Sequence, residues 1–434
     1  YDIKRFQKFH SEIGFIKKGI TESLGDLYGM HWPFKQHKTS RNIKTLPYHD
    51  ELKSFGACFG VSGGYERPMW FALDGEKTEY EYSYNYQNWY PSAEYETNNT
   101  IKNVGLFDLT PFSKFEIKSD KAHKELQKIC TSNIKNEVGK CVYTHMLNPD
   151  GGIETDLTVV CIDKDHFRII SSAATRERDK FHINKHLAKD VELKDVTDDY
   201  CVFGVFGPKS RALMKSISKD NFENDNFRFS TAKYITIEGI KIWTQRLSYV
   251  GELGYELYVK SENAKKIYEL LVNKGKDFNL SNCGMHAMDI MRMESGFLHW
   301  GHDISPEENQ YQAGLSFTIS SKKEDEFIGK KALEKIKKEK IKSRFAMFTL
   351  KDSKPGEPLL LHDEPIYLEN KIIGRSTSGN YSFNFRKNLT FGYINNDISN
   401  DELHKKDLFI EIEKKKYPIE LINNPLKQTN FKNN

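Results

Sequence analysis

One acidic residue, Asp156, follows a glycine turn and precedes an apolar run. The turn, at 149–152, has the sequence Pro-Asp-Gly-Gly and supplies the fixed and positive backbone angles that a tight turn requires. Residues 157–161 are apolar and rich in β-branched side chains, which predicts a buried strand. We therefore expect Asp156 at the mouth of a strand, where its carboxylate faces a ligand. The alternative is that it accepts backbone hydrogen bonds from its own turn.

A second carboxylate, Glu256, belongs to a Tyr-Glu-Leu-Tyr-Val pattern that predicts a strand. We expect two strands flanking a glycine turn over 246–259, with Tyr249 and Glu256 on either side of one hairpin end. A buried carboxylate needs hydrogen-bond donors, and the planar edge of a pterin or guanine ring offers two parallel N–H groups, as arginine does. The alternatives are an outward-facing glutamate or one that pairs with Arg246.

A histidine-rich segment at 299–303 has the sequence His-Trp-Gly-His-Asp. Two histidines three residues apart beside an aspartate suggest metal ligands. The loop offers no third strong ligand, so we expect no metal here.

Glycines are frequent between 55 and 71, but their spacing is neither GxGxxG nor GxxxxGK and no helical run follows them. A nucleotide cradle is therefore not indicated. Tyr65, Arg67, Trp70 and Phe71 indicate an aromatic and guanidinium wall, which either packs in the core or lines a planar ligand.

Length and composition exclude several classes of protein. The 434 residues are too many for one ordinary core, so two or three domains are expected. The 65 basic and 61 acidic side chains leave a formal net charge of only +4, which indicates neither a nucleic-acid nor a membrane partner. No apolar run approaches the roughly 20 residues that cross a bilayer. The six cysteines lack CxxC spacing, which predicts free thiols in a reducing compartment, the cytoplasm.

The order of the predicted elements indicates an α+β protein. Residues 1–59 show no sustained period, and glycines and a proline exclude a long helix at 23–33, although a short helix is expected at 46–53. From Val104 onwards strands and helices alternate with short connections, which favours mixed α/β layers. Beyond a lysine-rich helix at 330–342, short strands joined by polar turns predict a small barrel or sandwich of about ninety residues.

Several short motifs occur together in one known family. They are Gly105-Leu106-Phe107-Asp108, Tyr143-Thr144, Gly151-Gly152-Ile153 with Asp156, Tyr249 with Gly251-Glu252, Gly254-Tyr255-Glu256, and Trp300-Gly301-His302-Asp303-Ile304. In combination they resemble the glycine-cleavage T-protein (aminomethyltransferase) family from about Val104 to the C-terminus. The preceding segment, with Tyr65-Glu66-Arg67-Pro68 and Trp70-Phe71, resembles the middle region of dimethylglycine and sarcosine dehydrogenases. In those enzymes a flavin domain precedes a T-protein-like half.

The resemblance implies a division into three parts. Residues 1–95 would be the middle region or tail of an FAD-dependent oxidoreductase, 96–330 a T-protein-like mixed α/β folate-binding domain, and 331–434 a C-terminal β-barrel domain. The chain begins at Tyr1 without a methionine and lacks the flavin fingerprint of a Rossmann N-terminus. We therefore expect a piece of a longer protein that cannot oxidise a substrate alone. FAD is expected only in a flavin domain, in cis or as a partner subunit.

Tetrahydrofolate is the ligand that the resemblance implies. Asp156 matches the family's essential aspartate, beside the folate nitrogens that receive the one-carbon unit, and Glu256 matches the carboxylate that holds the pterin edge. Tyr249 matches a pocket tyrosine, and Tyr143 and Trp300 are further folate-binding candidates. We expect one cavity to bring Asp156, Glu256 and Tyr249 together.

One position departs from the family pattern. Met288 stands where T-proteins carry a folate-contacting arginine. The departure argues against ordinary T-protein activity and favours the dehydrogenase branch.

The implied reaction is formation of 5,10-methylenetetrahydrofolate. A flavin would oxidise a methylated amine, dimethylglycine or sarcosine, to an iminium that reaches the folate site as such or as formaldehyde. Asp156 would stabilise cationic intermediates and assist proton transfer. Two other interpretations stay open: a free-standing aminomethyltransferase or folate-dependent demethylase of a methylated osmolyte, and a non-catalytic folate-binding or assembly module in which Asp156 only caps a turn.

Overall fold

The computed structural model describes residues 7–323 and 325–428. The ends of the first and last predicted domains, 1–6 and 429–434, therefore lie outside the described residues. Within the described part of the chain, no helix is both long enough and apolar enough to cross a membrane. All six cysteines are buried and free, as the sequence predicts.

The N-terminal segment contains helices and one hairpin. Its elements are α1 (Ile13–Asp26), α2 (His49–Ser54), β1 (Ala57–Ser62), β2 (Tyr65–Phe71) and α3 (Tyr90–Lys102). Helix α2 confirms the short helix expected there. Helix α1 contradicts the expectation of a segment without sustained periodicity. None of its side chains is buried, and tertiary hydrogen bonds hold it: the Glu22 carboxylate accepts from the backbone N–H groups of Lys38 and Thr39, both at 2.7 Å.

A six-stranded sheet forms half of the central domain. In spatial order its strands are β10 (Ala232–Ile237), β11 (Ile240–Gln245), β12 (Gly254–Lys260), β9 (Tyr200–Phe206), β3 (Val104–Asp108) and β13 (Leu280–Cys283). The β3–β13 pair is parallel and the other pairs are antiparallel. Helices α6 (Ser210–Ile217) and α7 (Ser261–Gly275) cover one face of this sheet with apolar side chains such as Leu213 and Ile267.

A five-stranded antiparallel sheet forms the other half. In spatial order its strands are β5 (Cys141–Leu147), β6 (Ile153–Asp163), β7 (His166–Ser171), β4 (Ser113–Lys118) and β8 (Leu193–Asp195). Helices α4 (Ala122–Ile129) and α5 (Arg176–His186) pack on one face of it.

Strand β6 shows how the two sheets meet. Leu157, Val159 and Cys161 pack with the helices, while Val160 and Ile162 pack with residues of the six-stranded sheet. Because side chains alternate between the faces of a strand, the even-numbered residues of β6 point between the sheets. Asp156 therefore lies on the inter-sheet face.

The remaining elements are two helices and a closed barrel with one helix of its own. Helix α8 (Met285–Glu294) follows β13, and α9 (Lys330–Lys338) precedes the barrel. In spatial order the barrel strands are β14 (Ser343–Leu350), β17 (Lys387–Asn395), β16 (Lys371–Ser382), β15 (Pro365–Leu368), β18 (Leu408–Ile412) and β19 (Lys415–Ile422), with α10 (Asn400–Lys405) between β17 and β18. The predicted α+β class and the C-terminal barrel are confirmed.

Candidate functional site

The turn before Asp156 is held by another residue, Asn148. Its side-chain oxygen accepts from the backbone N–H groups of Asp150 at 3.0 Å and Gly152 at 2.9 Å. A side chain at Gly152 would not fit, because a Cβ there would lie 1.9 Å from the carbonyl oxygen of Pro306. Asn148 thus does what the alternative interpretation assigned to Asp156, and the Asp156 carboxylate is left for other partners.

Asp156 lies inside strand β6 and not at its mouth, which corrects the sequence-based expectation. It is the fourth residue of the strand and pairs with His145 on β5. Burial raises the pKa of Asp156 to about 7, a hydrogen bond from the Tyr143 hydroxyl opposes the rise, and the charge of Asp179 adds to it. A carboxyl group with this pKa accepts or donates a proton near neutral pH.

Tyr143 interacts with Asp156 and lowers the pKa of its carboxyl group. The Tyr143 hydroxyl lies 3.3 Å from Nε2 of His145. Burial lowers the pKa of His145 to about 3, which keeps its imidazole neutral. The other ring nitrogen of His145 lies 3.0 Å from the hydroxyl of Thr318. Tyr143 is 37% exposed as a residue, so a ligand can reach Tyr143 and His145.

Tyr249 lies near Asp156 but not on a strand. Strand β11 ends at Gln245 and β12 begins at Gly254, so 246–253 is a loop. The predicted short hairpin over 246–259 is wrong at this point, because Val250 and Leu253 of the loop are themselves buried. The Tyr249 hydroxyl donates to the carbonyl of Leu298 at 2.7 Å. Burial raises the pKa of Tyr249, and the charge of Asp156 contributes to the rise.

Glu256 lies on the facing sheet, on β12. Burial raises its pKa to about 7, against a hydrogen bond from the Tyr258 hydroxyl at 3.1 Å. Arg246, the partner considered from the sequence, donates to the carbonyl of Phe227 at 2.6 Å. The charge of Glu256 contributes to the raised pKa of Cys141 on β5. Glu256 therefore faces the sheet that carries Asp156.

Gln245 is a site residue that the sequence did not indicate. It is the cross-strand neighbour of Glu256 and is fully buried. Neither polar atom of its side-chain amide has a hydrogen-bond partner in the described part of the chain. An unpaired buried amide costs about 1–3 kcal/mol for each group left unsatisfied. The one signal that could identify Gln245 as a site residue is its cross-strand position beside Glu256. Finding that position requires knowledge of the register between β11 and β12.

Trp300 closes the near end of the β6 turn. Its indole N–H donates to the carbonyl of Ile153 at 3.0 Å, three residues before Asp156. The Arg178 guanidinium lies 4.6 Å from the Trp300 ring centroid and donates to the Glu154 carboxylate at 2.5 Å. Arg178 and Glu154 are further residues of this end that the sequence did not indicate.

A cavity of about 860 Å³ opens beside Arg178, between the N-terminal segment and the start of α5. It is lined by residues of both parts, including Phe9, His10, Ile20, Ala173 and Arg178. None of the five predicted site residues lines it. The structure thus brings Asp156, Tyr143, Tyr249 and Trp300 to one region and places Glu256 on the opposing sheet. The single cavity expected around them stays a prediction.

The histidine-rich segment at 299–303 has a structural role through Asp303. Asp303 is fully buried and accepts from Arg292 at 2.5 Å, from Thr377 at 2.6 Å and from Ser378 at 2.7 Å. Because Thr377 and Ser378 belong to β16, this aspartate joins the barrel to α8. His299 and His302 stack with ring centroids 4.8 Å apart.

Met288, the departure from the family pattern, is 1% exposed and packs in the inter-sheet core with Val250 and Tyr258. Arg292, one turn later on α8, is fully committed to Asp289, Asp303 and Ser378. Position 288 therefore supplies only apolar contact in this chain.

The two facing sheets followed by a barrel define a protein of the aminomethyltransferase fold. A solved structure, the glycine cleavage system aminomethyltransferase T from Bartonella henselae, matches with a TM-score of 0.76 and 20% sequence identity, over 89% of this chain and 99% of that chain. The GCVT N-terminal domain profile matches residues 48–323, and the glycine cleavage T-protein C-terminal barrel domain profile matches residues 344–427. The chain belongs to the glycine cleavage T-protein family. Residues 1–45 match the FAD dependent oxidoreductase central domain.

Curated relatives include longer oxidoreductases. The chain is 37% identical over 382 residues to the 4-methylaminobutanoate oxidase (formaldehyde-forming) of Paenarthrobacter nicotinovorans, covering 88% of this chain and 46% of the relative. It is 33% identical over 371 residues to the mitochondrial dimethylglycine dehydrogenase of Rattus norvegicus, covering 85% of this chain and 42% of the relative. The chain thus spans about half the length of these relatives. The resemblance noted from the sequence is confirmed, and the predicted domain boundaries stay predictions.

Proposed function

We propose that this chain catalyses tetrahydrofolate-dependent one-carbon transfer and forms 5,10-methylenetetrahydrofolate. The one-carbon unit would come from oxidative N-demethylation of dimethylglycine or sarcosine in a flavin-containing part of the whole protein. The observation that carries the proposal is the pair of carboxyl groups on facing sheets, Asp156 and Glu256, whose pKa values burial raises to about 7. Half-buried carboxyl groups with raised pKa values, and without a salt-bridge partner among the described residues, are typical of sites that bind or transfer protons.

The residues of the inter-sheet face fit a pterin. Its 2-amino and ring N–H groups offer two parallel donors for the Glu256 carboxylate. Gln245, beside Glu256, holds an amide whose donor and acceptor are both unpaired. When bound, tetrahydrofolate supplies the two nitrogen nucleophiles of the reaction, and either an iminium or formaldehyde supplies the carbon, with the amine or water leaving.

Asp156 would act on protons and charge at the reacting nitrogens. In its ionised form the carboxylate stabilises positive charge that develops beside it, and this effect is strong where water is excluded. With a pKa near 7 it also accepts a proton from a nitrogen and returns it. Tyr143 would favour the ionised carboxylate, because its hydroxyl lowers the pKa of Asp156. Tyr249 and Trp300, fixed by bonds to the carbonyls of Leu298 and Ile153, would supply aromatic walls.

The N-terminal segment supports a flavin-containing partner in cis or as a separate subunit. Helix α1 buries none of its side chains. Apolar residues exposed along it and just after it are Ile13, Ile20, Leu24, Leu27 and Tyr28. A contiguous apolar surface of this kind marks an interaction site, and it lies within the residues that match the FAD dependent oxidoreductase central domain. FAD would be held by that partner.

Formation of 5,10-methylenetetrahydrofolate from tetrahydrofolate and formaldehyde tests the proposal. We expect the wild-type chain to exceed the uncatalysed rate and Asp156→Asn to lose about 10²- to 10⁴-fold of that rate, as loss of a general acid–base group does. Tetrahydrofolate affinity, measured by calorimetry, should survive in Asp156→Asn and fall in Glu256→Gln. Asp163→Asn, an exposed aspartate at the end of the same strand, is the matched control. A wild-type chain that neither binds tetrahydrofolate nor exceeds the uncatalysed rate would overturn the proposal.

The same assay addresses the non-catalytic alternative. A chain that binds tetrahydrofolate tightly, but whose rate is equal to that of Asp156→Asn, would be a folate-binding module without chemistry.

A further inference from the structure

Arg67 on β2 has no hydrogen-bond partner among the residues that the structure describes. Its side chain is half-buried, and its Nε and Nη2 atoms are buried and unpaired. The other described arginines that are not exposed all donate to an acceptor; they are Arg41, Arg168, Arg176, Arg178, Arg211, Arg246, Arg292 and Arg344. A buried charge without a partner is costly, so the environment of Arg67 is incomplete without an anion or acceptor.

Phe112 and Lys114 define how a partner would approach. The Arg67 guanidinium lies 5.5 Å from the centroid of the Phe112 ring. The Lys114 ammonium donates to the carbonyls of Thr110 at 2.8 Å and Phe112 at 2.7 Å, which holds this loop in place. The Nε and Nη2 groups of Arg67 have no acceptor among the described residues, so they are the part left to bind a ligand. An arginine edge matches a carboxylate with two parallel hydrogen bonds.

The charges around Arg67 favour an anion. Asp108 is the carboxylate that attracts it, but the two form no salt bridge, and Oδ2 of Asp108 is itself unpaired. The other oxygen of Asp108 accepts from the Tyr48 hydroxyl at 2.9 Å and the Thr110 backbone N–H at 3.1 Å. Asp108 also interacts with the buried Lys114. Two cationic side chains therefore share one carboxylate.

Arg67 lies beside the region that holds the candidate site. Phe112 packs in the inter-sheet core, which also includes Tyr249 and Met288. Two residues further along β2, Met69 lies against the start of α8, where a Cβ on Gly284 would be 2.1 Å from the Met69 carbonyl oxygen. The hairpin is thus packed onto the central domain, and the Arg67 guanidinium meets it at Phe112.

We propose that Arg67 binds a carboxylate group of a ligand used at the Asp156 site. The inference rests on the proposed function, whose two ligands both carry carboxylates. One source is the glutamyl tail of tetrahydrofolate, and the other is the amino acid whose N-methyl group is removed. Arg67 is a binding residue in either case.

Affinities of three probes for the folded chain test this inference: tetrahydrofolate, the tailless 6-methyltetrahydropterin, and N,N-dimethylglycine. Arg67→Met keeps an unbranched side chain and removes the donors and the charge, while Arg67→Lys retains the charge and removes the planar edge. Arg228→Met, at an exposed arginine of the same domain, is the control. If Arg67→Met does not fold, the affinities of the three probes are compared between Arg67→Lys and the wild-type chain instead.

The source of the carboxylate decides which affinity falls. If the glutamyl tail supplies the carboxylate, Arg67→Met lowers the affinity for tetrahydrofolate by about 10- to 100-fold and leaves the affinity for the tailless pterin unchanged. If the amino acid supplies the carboxylate, Arg67→Met lowers the affinity for N,N-dimethylglycine and leaves the affinities for both pterins unchanged. Unchanged affinity for all probes that bind the wild type overturns the inference, and Arg67 then only neutralises Asp108. Failure of the proposed function is distinguishable, because neither pterin would then bind the wild-type chain.

Discussion

Tyr143 on β5 and Asp156 on β6 lie on neighbouring strands, and hydrogen bonding from the Tyr143 hydroxyl lowers the pKa of Asp156. Burial raises that pKa to about 7, and the hydrogen bonding keeps the rise from being larger. The proposed proton-transfer group and the residue that tunes it are therefore fixed by the pairing of two neighbouring strands.

Replacing Tyr143 by phenylalanine should raise the pKa of Asp156 further, because the bond favours the charged carboxylate. The acidic limb of the pH profile of 5,10-methylenetetrahydrofolate formation should then move to higher pH by about one unit. Tyr95→Phe, at a 51% exposed tyrosine of α3, should leave the limb in place. An acidic limb unchanged in Tyr143→Phe would show that Tyr143 does not tune the group that titrates.

Stability of the ligand-free protein should depend on pH through Asp156 and Glu256. Their pKa values rise from ordinary values of 3.8 and 4.5 to about 7 on folding, so the folded state binds more protons between about pH 4 and pH 7. Stability contributed by the two carboxyl groups is present below that window and is lost as the pH rises through it. Asp156→Asn and Glu256→Gln should therefore stabilise the protein at pH 8 and not at pH 4.

Urea denaturation at the two pH values measures this effect. The expected gain at pH 8 is about 1–3 kcal/mol for each variant, since one pKa unit corresponds to about 1.4 kcal/mol and both groups are only half-buried. Equal stability of wild type and variants at pH 8 would contradict the raised pKa values.

Much of the fold follows from local sequence. The strand at 157–161, the helix at 46–53 and the C-terminal barrel are each carried by patterns of apolar residues and turns, and the structure contains them. Helix α1 could not be predicted in this way, since it has no buried face and depends on hydrogen bonds that Glu22 accepts from a loop 16 residues away.

Part of the candidate site can be predicted from the sequence. The rest depends on the register in which distant strands pair, which the sequence does not give. Asp156 and Glu256 could be proposed because each is a carboxylate in an apolar strand. Gln245 becomes noticeable only when its partners are known to be missing. Arg67 is noticeable in the sequence as part of an aromatic and guanidinium wall, but only the structure shows that two of its N–H groups are unpaired among the described residues. No local pattern states whether a buried amide or guanidinium is satisfied, because its partners come from distant strands.

Gln245→Leu should move stability and binding in opposite directions. Removing an amide whose two polar atoms are buried and unpaired relieves a cost, so the free energy of unfolding should rise by about 1 kcal/mol. Tetrahydrofolate affinity should fall, because the amide lies beside Glu256. Gln310→Leu is the control: this glutamine is also buried with both polar atoms unpaired, so stability should rise and affinity should stay unchanged. Unchanged affinity in Gln245→Leu would place Gln245 outside the ligand site.

Arg292→Met should lower the free energy of unfolding, because it removes the bonds that join the barrel to α8. The guanidinium donates to Asp289 at 2.8 Å, to Asp303 at 2.5 Å and to Ser378 of the barrel at 2.9 Å. Without it, Asp303 remains fully buried with an uncompensated charge, which costs about 3–5 kcal/mol. Urea denaturation should show this loss.

The exposed pair of Arg375 and Asp363, at 2.6 Å and 57% exposed on both sides, provides the comparison for that loss. Arg375→Met should cost less than about 1 kcal/mol, because water screens the pair. Combining Arg292→Met with Asp303→Asn should recover part of the loss, since the double variant no longer buries an unpaired charge. If Arg292→Met and Arg375→Met were equally stable, the buried network would not hold the barrel to α8.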